Sequence, residues 1–340
     1  MPRHAKIAPI FLALLLLPLQ ASAQGDLVPE KKLEEKKKSD GWDLLLTPGL
    51  SMSLSDNRAV IGQPEGLTMT VGVSIASGAN LRRESHEWRN SLNITELFTH
   101  TPELEEFVKS TDLVKLESVY LFHLYKWLGP FAKLNLDSVL LEGFDVRPST
   151  VTWTIARADG STESRTGRHL RLTDGFEPLT LKETAGFFAK PYESDRLNVE
   201  GRLGFGGMHV FADGGLAVGD DDTTPEIEVA EWTRFGQAGA LVRAPARGRP
   251  YDKKLTYRVG AEIMIPFIND LDTEDDRSIT ELTNIEIGAT ISFKVFEWLA
   301  IDYVFRALRQ PQLLDEWQIQ NNLLLTASYS FFKPEKEEKK

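Results

Sequence analysis

The chain of 340 residues contains no cysteine, so no disulfide holds it together and no thiol can ligate a metal or attack a substrate. Beyond residue 23 it has no run of 18 consecutive apolar residues, which excludes membrane-spanning helices. Histidine is scarce: there are six, at His4, His86, His100, His123, His169 and His209, and none falls in an H-E-x-x-H zinc pattern. Positive charge is outweighed, with 39 Lys and Arg against 50 Asp and Glu. No basic stripe interleaves with aromatics, so nucleic acid is not an expected partner.

What is present first is an export signal. Arg3 and Lys6 precede the apolar run 7–19, and Ala21-Ser22-Ala23 supplies a small-x-small cleavage site before Gln24. The apolar core is shorter than the roughly 20 residues of a spanning helix. Residues 1–23 are therefore expected to be removed. Residues 24–40, which include PEKKLEEKKKSD, read as a charged periplasmic linker, and 333–340, KPEKEEKK, as a charged C-terminal tail. An exported chain without disulfides must be held by a core, by a closed hydrogen-bond network, or by both.

The segment 41–332 alternates. Ile285, Ile287, Ala289, Ile291 and Phe293 interleave with Asn284, Glu286, Gly288, Thr290 and Ser292; Leu299, Ile301, Tyr303 and Phe305 interleave with Ala300, Asp302, Val304 and Arg306. A helix would scatter these apolar side chains around its circumference, whereas a strand puts each set on one face. The same period recurs along the chain and predicts strands near 42–53, 66–77, 84–98, 111–127, 130–142, 178–190, 195–206, 228–241, 253–268, 280–294, 298–309 and 316–332. Several runs exceed the five or six residues usual in soluble strands and suffice for a tilted membrane strand of about 9 to 11.

The connections sort as well. The odd ones are mostly long and several are acidic, such as TPELEEFVKS, the excursion from Glu142 to Leu179 and NDLDTEDDRS; the even ones are mostly short, such as KWLGPF, KPYESD and KVFEW, with VRAPARGRPYDK the long exception. Long loops at one end and tight turns at the other are the pattern of outer-membrane barrels. Trp42, Trp127, Phe131, Tyr192, Phe296, Trp298 and Phe331 fall near the short-turn end, where an interfacial girdle belongs. The expected fold is all-β: a transmembrane antiparallel up-and-down barrel of about 12 strands, with short periplasmic turns and long outer loops. Backbone in hydrocarbon tolerates no open edge, so the strand near Trp42 must pair with the one near Phe331. The stretch 151–172 reads as a separate hairpin around Asp159-Gly160 in a long outer loop; counted as wall, it gives the alternative of 14 strands. Pro266 inside a strand requires a strand end or a bulge.

The motifs GWDLLLTPGLSMSLSDN, EWRNSLNI, KWLGPFAKLNL and NNLLLTASYSFF resemble an uncharacterised bacterial family of outer-membrane β-barrels, of the domain-of-unknown-function kind, over about Gly41 to Phe332. The resemblance implies a barrel in the outer membrane and little about activity. Expected partners are the bilayer, lipopolysaccharide and the assembly machinery that reads a terminal aromatic such as Phe331 or Phe332.

Candidate chemistry is sparse. Glu200, Arg202, Arg258, Glu262, Glu286, Asp302 and Arg306 fall on the polar face of their strands and are the lumen-facing candidates. They would set the selectivity of a passive or weakly selective small-solute channel, the leading functional expectation. The alternative is a structural or surface-interaction barrel whose lumen these side chains fill. Asp270, Asp272 and Glu281 occupy positions 1, 3 and 12 of a calcium-loop pattern, but Asp275 replaces the turn glycine, so they are weak metal candidates. His123 near Ser118 is a weak pair for a lipase-like base and nucleophile, and Gly204 to Gly207 is a glycine cluster with no helix to make a phosphate site. Neither enzymatic activity nor a cofactor is expected.

Overall fold

The computed structural model describes residues 40–57, 66–104, 106–194, 196–212, 214–219, 224–249, 254–269, 277–311 and 314–331. The expected export signal, most of the expected charged linker and the expected C-terminal tail lie outside these residues.

Twelve strands close into one antiparallel barrel. In chain order they are β1 (Gly41–Asn57), β2 (Gly66–Arg83), β3 (His86–His100), β4 (Val108–Phe122), β5 (Leu128–Ser138), β8 (Leu179–Glu193), β9 (Leu197–Phe211), β12 (Phe235–Gly248), β13 (Leu255–Asn269), β14 (Asn284–Phe296), β15 (Leu299–Gln310) and β16 (Leu314–Ser328). Each wall strand pairs with the preceding and following wall strand. Closure is the predicted one: Gly49 pairs with Ser328 and Met52 with Leu325. An isolated bridge joins Leu46 to Phe331, and the Phe331 N–H donates to the Leu46 carbonyl at 2.9 Å. The ladder therefore ends without an unpaired edge, the condition under which a sheet can sit in hydrocarbon.

Burial along the wall is inverted relative to a water-soluble protein. On β9, Leu203 and Phe205 point outward at 62% and 68% exposure, while their neighbours Glu200 and Arg202 are buried. On β1, Leu44, Leu50 and Leu54 are exposed and Thr47 and Ser51 are buried. An isolated exposed leucine is unremarkable, but a continuous apolar belt is not. At roughly 2 kcal/mol per large apolar side chain removed from water, several dozen such residues make the aqueous state of this surface unfavourable by tens of kcal/mol. A bilayer around the belt removes that cost.

Six of the seven predicted girdle aromatics, Trp42, Trp127, Tyr192, Phe296, Trp298 and Phe331, are exposed around the short-turn end. Phe131 is a correction: it is 4% exposed and packs inside the barrel with Val119, Leu121 and Phe188. Its inward parity on β5, shared with Lys133 and Asn135, decides this.

The predicted strand 228–241 is a second correction. It spans two elements, β11 (Ile227–Glu231) outside the barrel and β12 in the wall. The outward positions of β12 begin with Gly236, Ala238 and Ala240, so its apolar alternation is faint and the boundary was misplaced. Because β12 runs on to Gly248, the exceptional even connection shortens to 249–254, and the short-turn end is more uniform than the sequence suggested. Pro266 sits opposite Gly239 where the β12–β13 register shifts, so the required bulge is present.

The 151–172 hairpin forms outside the wall, which sets aside the 14-strand alternative. It consists of β6 (Gly143–Ala156) and β7 (Thr162–Thr173), with Gly160 at φ +82° in the turn. It joins β10 (Leu216–Val218) and β11 in a four-stranded sheet of order β10-β11-β6-β7, in which β11 and β6 run parallel. Trp153, Ile155, Leu170, Leu216, Ile227 and Val229 form its own apolar core. His169 Nε2 lies 3.0 Å from Glu106 Oε1 and links this sheet to the β3–β4 loop.

Candidate functional site: the lumen

Inward side chains fall into layers. Nearest the short turns, Val119, Leu121, Phe131 and Phe188 form an apolar layer on β4, β5 and β8. Cations lie against it: the Arg202 guanidinium is 5.5 Å from the Phe131 ring centre, and the Lys190 ammonium is 5.5 Å from that of Phe188. These distances are within cation–π range.

Beside that layer is a cluster of paired charges. Glu87 accepts from Arg82 at 2.9 Å, from Arg89 at 2.9 Å, and from Lys190 at 3.4 Å, and lies 2.9 Å from His123 Nε2. Glu200 meets Arg202 at 2.6 Å and Arg89 at 3.3 Å. Arg89 stands on β3 and Glu200 on β9, with β4, β5 and β8 between them in the wall. The pair therefore runs across the lumen, not along the sheet, and Lys190–Glu87 does the same from β8 to β3.

A second quartet lies further in. Lys133 on β5 is 3.4 Å from Glu117 on β4 and 3.9 Å from Glu262 on β13; Arg243 on β12 is 3.2 Å from Glu262 and 3.8 Å from Glu117. Two cations and two carboxylates from four strands alternate, so each charge has two opposite neighbours. Buried charges are costly unless paired in this way. Lys115 and Asp137 meet at 3.9 Å, and Arg306 on β15 donates to Glu286 on β14 at 3.2 Å.

The third layer is built mainly of neutral groups, with Lys182 on β8 as the cross-strand neighbour of Met208. Gln237 Nε2 lies 3.9 Å from Met208 Sδ and 3.7 Å from Met264 Sδ, and Gln310 Nε2 lies 3.8 Å from Met208 Sδ. Val210, Ala212 and Phe235 complete an apolar cluster around the two methionines, with Trp232 packed against it.

All seven lumen-facing candidates project from the polar face of the wall. Glu200 and Arg202 belong to the first ion cluster, Glu262 to the quartet, and Glu286 and Arg306 to their own pair. Asp302 accepts the Ser292 hydroxyl, and Arg258 is half-buried on β13. Sequence reasoning passed over Glu87, Arg89, Glu117, Lys133, Lys190 and Arg243. Their signal was present: Glu87 and Arg89 stand two residues apart, as Glu200 and Arg202 do. The outward faces of β3 and β4 also carry polar groups such as Asn90 and Ser118, which blurs the alternation there.

His123 and Ser118 do not meet. His123 rests on Glu87 and edge-on to Phe188, whereas Ser118 donates to Asn90 Oδ1 at 2.8 Å and accepts from Trp88 Nε1 at 2.9 Å on the outward face. Of the weak metal candidates, Asp270 and Asp272 lie outside the described residues. Glu281 accepts from the Ser278 hydroxyl and N–H, both at 2.7 Å, and these bonds hold its carboxyl below the usual range. Among the described residues no group of three acidic or histidine side chains converges on a metal position. Gly204 and Gly206 sit within β9, where Gly204 pairs with Gly186; a Cβ on Gly204 would lie 2.3 Å from the Ala185 carbonyl oxygen. These glycines thus serve the close approach of β8 and β9.

No protein-family model matches the chain, and no curated protein matches it. Among solved structures it is similar to the translocator domain of the autotransporter NalP from Neisseria meningitidis, at 11% identity and TM-score 0.35 over 87% of this chain and 90% of that one. It is also similar to an outer membrane channel from Pseudomonas putida F1, at 9% identity and TM-score 0.37 over 90% of this chain and 99% of that one. A third is the CymD monoaromatic hydrocarbon channel, at 12% identity and TM-score 0.34 over 86% and 88%. At these TM-scores and identities the likeness carries no argument about the role of this chain.

Proposed function

We propose that this chain is an outer-membrane barrel acting as a small-solute conduit of low ionic conductance, its lumen narrowed by paired charges. The observation that carries the reading is the set of ion pairs joining strands that are not neighbours in the wall, Arg89–Glu200, Lys190–Glu87, Lys133–Glu262 and Arg243–Glu117. Twelve strands enclose more room than the eight whose side chains just fill a barrel, and here those chords occupy part of it. An ion entering must compete with partners already in place. The export signal, the apolar belt and the sorting of short turns to one end support an outer-membrane location with the four-stranded sheet on the outer side. Purified protein in planar bilayers is expected to give small, infrequent conductance steps. Large, persistently open ohmic channels from wild-type protein would overturn the reading.

A second reading is favoured by one feature, the four-stranded outer sheet with its own core. A barrel that carries a folded unit above its mouth is suited to surface interaction. Removing residues 143–173 would then abolish binding to cells or matrix and leave the heat-dependent gel mobility of the barrel in place; retained binding would exclude this role for the hairpin.

A further inference from the structure

Among the described residues several buried polar groups lack a hydrogen-bond partner, and three of them lie in or beside the third layer. Asn284 on β14 is 8% exposed and neither Oδ1 nor Nδ2 has a hydrogen-bond partner. Gln310, at the end of β15, is 4% exposed and its Oε1 has none. Asn284 is the cross-strand neighbour of Met264, whose sulfur lies near Gln237; the Gln310 amide reaches Met208, whose sulfur lies near the same Gln237. Side chains from β9, β12, β13, β14 and β15 thus meet in one buried layer, the chamber of the barrel's outer half. Trp232 packs against the cluster that includes both methionines, and its buried Nε1 is also without a partner among the described residues.

Buried amides are rarely left without partners, because the desolvation cost is not recovered. Three such groups around one apolar floor mark a place where a hydrogen-bonding molecule belongs. Next to this layer, a cavity of about 10 Å³ whose lining includes Lys133, Lys182, Thr184, Glu262 and Met264 has room for roughly one water. Met264 and the ion quartet's Lys133 and Glu262 thus border the same small space.

We propose that this chamber is the recognition stage for small uncharged polyhydroxylic solutes, and this rests on the conduit reading above. The carboxamides of Asn284 and Gln310 offer both donors and acceptors, which suits hydroxyl groups that also do both. Thioethers and the Trp232 ring provide an apolar surface for the C–H faces of a polyol. The amides, thioethers and indole of this chamber are neutral and Lys182 beside Met208 is cationic, so a cation would lose hydration without compensation, whereas a polyol exchanges water hydrogen bonds for amide ones.

The test is swelling of proteoliposomes in isosmotic glycerol, compared with potassium chloride current from the same protein. Wild-type protein should admit glycerol while passing little current. The double variant Asn284→Leu, Gln310→Met removes the hydrogen bonds at nearly constant volume and should slow swelling about tenfold, with its heat-dependent gel shift unchanged. The single variant Gln310→Met serves if the double variant does not assemble. Equal swelling by folded wild-type and variant protein would overturn the chamber's role and leave the conduit standing. No glycerol entry through folded wild-type protein would overturn the conduit and this assignment together.

Discussion

Arg89 Nη1 and Glu200 Oε2 stand 3.3 Å apart across the lumen, although β4, β5 and β8 separate their strands along the wall. Each is also held by a nearer partner, Arg89 by Glu87 and Glu200 by Arg202. The chord is therefore the link between two locally paired units.

Breaking that link should be costly one way and mild the other. Arg89→Ala or Glu200→Ala alone leaves a buried charge short of a partner and should destabilise the barrel by about 3 to 5 kcal/mol. The double variant should lose less than the sum, with a coupling of roughly 1 to 3 kcal/mol. Urea unfolding in detergent or lipid measures this, and additive effects would mean that the chord is not formed. The double variant should also conduct more than wild type in planar bilayers.

The lipid face makes an opposite forecast from that of any soluble sheet. Leu203→Arg on β9 places a charge at a position 62% exposed. In water such a change is near neutral; near the bilayer midplane it should cost about 2 to 4 kcal/mol. Folding into liposomes measured for Leu203→Arg and for wild type separates the two cases.

Glycine at position 204 is set by clearance. A side chain there would meet the Ala185 carbonyl oxygen, while at Gly201 no atom lies within 4 Å of a built Cβ. Gly204→Val should fail to give the compact, heat-shifted band on a gel, and Gly201→Ala should give it as wild type does. Matching behaviour of the two variants would remove the close approach of β8 and β9 as the reason.

The outer sheet should melt on its own. Trp153 is 1% exposed and its Nε1 donates to Asp145 Oδ2 at 2.7 Å. Trp153→Ala should cost that sheet about 3 to 5 kcal/mol. Protease should then cut within 143–173 while the wall remains resistant, and simultaneous loss of both would show one cooperative unit.

A pH dependence is expected at the β13–β14 loop. The Ser278 hydroxyl and N–H lower the Glu281 carboxyl from its ordinary value of 4.5. A lowered carboxyl stabilises the fold above its unfolded value and loses that contribution as pH falls through the folded value. Protection of the Ser278 amide, its exchange rate relative to the unprotected rate at the same pH, should therefore hold through neutral pH and fall as the carboxyl is protonated in acid; Glu281→Gln should remove the acid step.

Local pattern along the chain was enough to give the class of wall. Period-two alternation in 285–293, 299–305 and 255–267 put apolar side chains on one face, and the sorting of short and long connections set an even number of strands. From this came the twelve strands, the closure of β1 on β16 and the detached hairpin at 151–172, because each depends on local pattern or on the bilayer's intolerance of an open edge. The polarity of Glu200, Arg202, Glu262, Glu286 and Arg306 was equally legible. Which charges meet was not legible in that pattern. Arg89 finding Glu200, and Lys133 finding Glu262, depend on barrel curvature and stagger, which bring side chains distant in sequence within 4 Å. The parallel pairing of β11 with β6 is of the same kind, since no turn or spacing in 143–231 announces it. Phe131 shows the boundary most directly: its aromatic character suggested the membrane interface, and its inward parity placed it in the lumen. Alternation assigns a side chain to a face, but what that face encloses is set by how the sheet closes.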